Sequence, residues 1–227
     1  MSNSQTASRS TAQLLTAGIL AGPFFIVLSL VQAFTREGFD WVRHPASLLS
    51  LGDLGWIQIA CFVLTGLLYI AGGIGLGRVL TEGIGRTWVK RLFVSVGIAM
   101  IMGGVFVADP GLGFPPGTPE GVPQEMSGHA AIHGFAPILG FFSLVGAFLV
   151  LARRFGSQNR RPWMWTTIVI ATTTLILTAL PNFTADWEIG RFNFLPLWAG
   201  VSLGYFYASA VIAKLKTELR DEQSLKG

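Results

Sequence analysis

One cysteine in 227 residues, and a charged fraction of only 12%, set the first limits on this chain. Cys61 alone cannot close an intramolecular disulfide, build a thiolate cluster or complete a Cys-type zinc site, so it reads as a small buried apolar side chain. Soluble domains carry roughly twice that charge, about 25%. The net charge of +4 does not point to nucleic acid, because no basic run is interleaved with base-stacking aromatics. The centres of the long apolar segments also lack Asp, Glu, Lys, Arg and His. Ion pumps and proton-coupled carriers usually place such a residue there.

What the chain does have is hydrophobic length. Six apolar segments, at about 13–34, 54–76, 92–108, 131–152, 163–180 and 195–213, each approach the ~20 residues that cross a bilayer as helix. Of the 16 Lys and Arg, 13 lie in the two tails and in the second and fourth connections. The other three connections hold only Arg36, Arg43 and Arg191. This alternation predicts an all-α polytopic bundle in a plasma (inner) membrane with both termini cytoplasmic. Trp41, Trp56, Trp187 and Trp198 are expected at the outer interface, and Trp88, Trp163 and Trp165 at the inner one, as two aromatic belts. Residues 1–12, rich in Ser and Thr, read as a disordered cytoplasmic tail, residues 13–215 as the membrane domain and 216–227 as a second tail. Val31 and Ala33 imitate a signal-peptidase site, but the apolar run before them is too long for a signal core.

Small residues recur inside the spans, among them Gly66, Gly72, Gly97, Gly104 and Gly140. Close backbone approach at such positions is how helices adhere in lipid. Before the second span, Pro45 in WVRHPASLLSL suits a helix start, with Ser47, Leu48, Leu49 and Leu51 following as a short amphipathic turn. The Pro- and Gly-rich loop 109–128 is expected to lie over the outer mouth or to be mobile.

All three histidines fall on the outer side under this topology, with Asp109 and Asp186. His129 and His133 are four apart at the start of the fourth span and share a helix face. Asp109 closes the third span at the same depth, and His44 with Ser47 precedes the second. His44, His129 and His133 with Asp109 offer three nitrogens and a carboxylate, a zinc shell with one position left for water. The same residues also read as interfacial polar groups bonded to water, headgroups or helix ends. Haem fits less well, because His129 and His133 on one face cannot supply opposite axial ligands. Glu188 and Arg191, at i,i+3, form a local pair if that stretch is helical.

GILAGPFF in the first span, HPASLLSLGDLGW before the second, VFVADPG closing the third and GHAAIHGFAP opening the fourth resemble a bacterial six-helix membrane family catalogued as domain of unknown function 998. That resemblance implies a membrane architecture and no activity. The Ser, His, Asp and HxxxH types are similar, more distantly, to the zinc site of seven-helix hydrolases that include alkaline ceramidases and adiponectin-receptor-like proteins. Carried over by type, His44, His129 and His133 would ligate zinc, and Asp109 and Ser47 would position the attacking water. Span number, motif order and sidedness all depart from that pattern. The expectation is therefore an integral membrane protein with a polar His/Asp pocket at its outer mouth. Its sharpest form is a metal-dependent hydrolase of a lipid or amphiphile. A small-molecule or lipid transporter and a non-catalytic membrane partner protein are the competing classes.

Overall fold

A computed structural model describes the backbone of residues 3–186 and 191–224. Six helices follow in order: α1 (Asn3–Thr35), α2 (Gly55–Val79), α3 (Trp88–Val105), α4 (Gly128–Ser157), α5 (Arg161–Thr184) and α6 (Leu195–Ser224). Each is long and apolar enough to cross a membrane. Leu20, Val27, Leu64, Leu67, Ile98, Leu149, Val169, Ile176 and Phe206 stay exposed on their outer surfaces, as lipid-facing side chains do. All six expected spans are present. Helical backbone continues through residues 3–12 and 216–224, the segments expected as tails. Trp187 and Glu188 lie outside the described residues, and with them the belt position of the one and the ion pair of the other.

The helices form a closed ring in sequence order, each packing on the next and α6 returning to α1. Six crossings leave both termini at one end, beside the two basic connections; we call this the basic end. Local chemistry sets the element boundaries. Ser127 caps α4, its Oγ accepting from the Ala130 amide at 3.1 Å. Pro162 stands in the first turn of α5, where its missing amide is no loss. Two backbone-on-backbone contacts flank α2. A methyl at Gly18 would stand 2.7 Å from the Gly72 Cα, and one at Gly66 would stand 2.5 Å from the Gly97 carbonyl oxygen.

The half of the ring nearer the basic end is filled by Tyr69, Phe93, Leu144, Phe148, Leu151 and Phe155, all buried. The opposite end carries a folded cap made of the three remaining connections. A short 3-10 helix, Ala46–Ser50, starts behind Pro45 as expected, but it turns Leu48 and Leu49 inward. Leu48, Leu51, Leu112, Phe114 and Phe192 form a small core of their own beneath the cap. Arg36 ties the 3-10 helix down, donating to the Leu49 and Leu51 carbonyls at 3.2 and 2.7 Å. The loop after α3 joins this small core through Leu112 and Phe114.

Candidate functional site

His44 is the most buried of the three histidines, at 2% exposure. Its Nδ1 accepts from the Asp40 amide at 2.9 Å, and its Nε2 donates to the Leu112 carbonyl at 2.9 Å. The ring also packs against Phe39 and Phe114. Both nitrogens are committed to backbone groups, so neither is left for a metal. Burial pushes the imidazole below its ordinary value and keeps it neutral, with the Arg43 charge acting in the same direction. The Trp198 indole, expected in the outer belt, is instead buried under the cap, donating to the His44 carbonyl at 3.1 Å.

His133 has a different task. α3 ends at Val105, three residues short of the expected span, and leaves its last carbonyls without helical partners. His133 Nδ1 donates to two of them, Phe106 at 2.7 Å and Gly103 at 3.2 Å. Its Nε2 makes no hydrogen bond to any described residue.

His129 is exposed, one turn away, against the Phe106 ring. Asp109, four residues beyond the end of α3, takes the Ser127 amide at 2.8 Å. The Ser127 hydroxyl and amide, with the His129 charge behind them, hold its carboxyl below the usual carboxylate range. Asp109 thus anchors the start of α4. The zinc shell expected from His44, His129, His133 and Asp109 is not assembled: among the described residues no three His, Cys, Asp or Glu stand close enough to hold a metal ion.

Two of the expected residues, Ser47 and His133, do share a space. A cavity of about 550 Å³ occupies the cap half of the ring and takes lining residues from all six helices and from the 3-10 helix. Its walls are mainly Phe25, Phe62, Met100, Phe141, Val201 and Tyr205. Tyr205 closes the deep end, its hydroxyl reaching the Met100 sulfur at 2.9 Å. Polar lining is confined to Ser47, His133, Thr178, Asn182, Trp198 and Tyr205. Trp198, Tyr205 and Thr178 already have partners, the Thr178 hydroxyl bonding the Thr174 carbonyl at 2.8 Å. The side-chain groups that remain, Ser47 Oγ, His133 Nε2 and the Asn182 carbonyl, are all toward the cap.

The cavity is open sideways. Pro137 and Ile138 of α4 and Asn182 of α5 both line it and stand exposed, so the gap lies between the cap-side halves of these helices. A methyl at Gly134 would meet nothing within 4 Å. Sequence reasoning missed Met100 and Tyr205, which read as ordinary core. The available signal was α4 itself, where Gly134, Ala136, Pro137 and Gly140 put small residues through two turns in which a packed helix would carry bulk.

The chain belongs to the family described as protein of unknown function (DUF998), whose model matches residues 19–213. No curated protein and no solved structure matches it.

Proposed function

We propose that the ring binds an amphiphile, a lipid or lipid-like molecule, entering between α4 and α5 from the membrane. The observation that carries this reading is the distribution of polarity in one cavity: mainly apolar walls at depth and, at the cap rim, Ser47 Oγ and His133 Nε2 with no partner among the described residues. Its volume of about 550 Å³ falls in the range of small-molecule sites, about 300–1,000 Å³. A tail would lie against Phe25, Phe62 and Tyr205, and a head group would meet Ser47, His133 and Asn182. The basic end faces the cytoplasm of a plasma membrane in this reading, because 13 of the 16 Lys and Arg gather there.

Hydrolysis of the bound molecule is the enzymatic extension of the same reading. With Nδ1 held by α3, His133 presents Nε2 as the base that takes a proton from water or from Ser47. As that oxygen bonds to the carbonyl carbon of an ester or amide, the acyl C–O or C–N bond breaks and the proton passes to the leaving alkoxide or amine; an acyl group left on Ser47 would then be released by water activated in the same way.

Trp198 lines the cavity and reports on it. A bromine-labelled single-chain amphiphile should quench tryptophan fluorescence saturably in the wild-type protein. The quenching should weaken about tenfold in Gly134→Phe, at a lining position where an added Cβ meets nothing within 4 Å. In the same preparation, free acid released from an ester of that amphiphile should depend on His133 and disappear in His133→Gln, with binding retained. Quenching that never saturates, or that is equal in both proteins, would overturn the binding reading.

A further inference from the structure

A second site stands at the opposite end of the molecule and is independent of the cavity. The connection between α2 and α3 is held against α4 by Arg154, which donates to the Glu82 and Ile84 carbonyls, each at 2.9 Å. Gly83 and Gly85, at φ +67° and +97°, give the loop the left-handed turns that this path requires. The fold leaves a cleft of about 400 Å³ lined by residues 83–88, Arg91, Val150 and Arg153.

Three arginines, Arg86, Arg91 and Arg153, line this cleft, all exposed, and none has an acidic partner among the described residues. Five other cations at this end are engaged: Arg154 with the loop carbonyls, Arg160 and Lys214 with Glu218, Lys216 with the Thr16 hydroxyl and Arg78 with Ser10. Arg91 lies over the Trp88 ring, 5.6 Å from its centroid, which fixes the fork beside the cleft. α3 begins at the same place. Thr87 makes no side-chain cap and no acid stands in the first turn, so the first amides of the helix add their partial positive charge.

We propose that this cleft binds the phosphate of an anionic phospholipid headgroup. Arginine forks match tetrahedral phosphate oxygens better than a single carboxylate. Basic clefts between membrane helices, beside an interfacial tryptophan, are where headgroups dock. Val150 in the lining continues the site toward the hydrocarbon, which a soluble phosphate would not need.

The test uses the full-length protein in detergent, mixed with phosphatidylglycerol or phosphatidylcholine, and retained lipid is counted by native mass spectrometry. Phosphatidylglycerol should be retained in preference. The double variant Arg91→Gln/Arg153→Gln should lower that retention about tenfold, while Arg9→Gln/Arg220→Gln, with equal charge removed at exposed positions of the same end, should leave it unchanged. Arg86→Gln, on the exposed loop, repeats the comparison should the double variant fail to fold. Equal loss in the control variant would reduce the effect to bulk charge and overturn the site, as would full retention in the cleft variants. Displacement of the lipid by an equal concentration of inorganic phosphate would transfer the site to a soluble ligand and overturn the lipid assignment.

Discussion

At the scale of single residues, His44 shows how one residue can join two connections and a helix, through its ring and its backbone carbonyl. Its ring links Asp40 to Leu112, and its carbonyl holds Trp198 at the start of α6. Removing the imidazole leaves the Asp40 amide and the buried Leu112 carbonyl without their partner and opens a void beside Phe114. His44→Leu should therefore cost about 3 kcal/mol, seen as a lower unfolding midpoint by intrinsic fluorescence in detergent. Acid should act through the same residue. Burial holds the folded imidazole below its ordinary value of 6.5, so below that pH the unfolded chain takes up a proton that the folded chain refuses. The contribution is complete above the ordinary value and is lost as pH falls toward the folded one. The hydrogen bond to the Leu112 carbonyl opposes this most, with Asp40 and Glu120 acting the same way, while Arg43 reinforces it. The wild-type midpoint should fall between pH 7.5 and pH 5 (roughly the limits of the titration window), and the fall should be shallower in His44→Leu. An equal slope in both proteins would remove His44 from the account. None of this was legible in HPAS, because the two partners of the ring are backbone groups, and Leu112 is 68 residues away. His133 was legible as a helix-edge histidine; its commitment to the carbonyls of α3 was not, because the place where α3 stops is set by tertiary packing and not by hydropathy.

Elements obey a plainer logic. Membrane-spanning helices were readable from length and polarity alone; the caps at Ser127 and Pro162 came from the structure. The folded cap was not readable, since Pro- and Gly-rich sequence states only that regular structure ends. The ordering of that loop depends on Leu112 and Phe114 meeting Leu48, Leu51 and Phe192 from two other connections. Glycine content told that helices approach closely but not which pairs meet. Gly66 and Gly97 cross reciprocally, with added methyls reaching 2.5 and 2.4 Å from the opposing carbonyl oxygens, and backbone cannot move aside as a side chain can. Gly66→Val and Gly97→Val should each cost about 2–3 kcal/mol or more by forcing α2 and α3 apart. Gly134→Ala should instead be neutral or gain up to about 1 kcal/mol from helix propensity, its methyl meeting open space. Unfolding midpoints of the three variants, measured side by side, decide whether the Gly66–Gly97 crossing is a packing contact or an incidental approach.

Taken whole, the molecule is a ring sealed at one half and hollow at the other, and the two candidate sites sit at opposite ends of it. That division gives meaning to sidedness: the amphiphile mouth and the arginine cleft face different leaflets, whichever way the protein is inserted. The proposed topology, read from the charge distribution, puts the basic end inward. Cys61, fully buried and alone, makes the assignment measurable. In a Cys61→Ala background, Glu125→Cys reports from the exposed cap and Glu82→Cys from the exposed loop at the basic end. A membrane-impermeant maleimide applied to intact cells should label Glu125→Cys and should reach Glu82→Cys only after permeabilisation. The reverse pattern would move the amphiphile site to the cytoplasmic leaflet and the arginine cleft to the outer one. Labelling of both positions from outside would contradict a six-span ring with its cap and its basic loops on opposite sides.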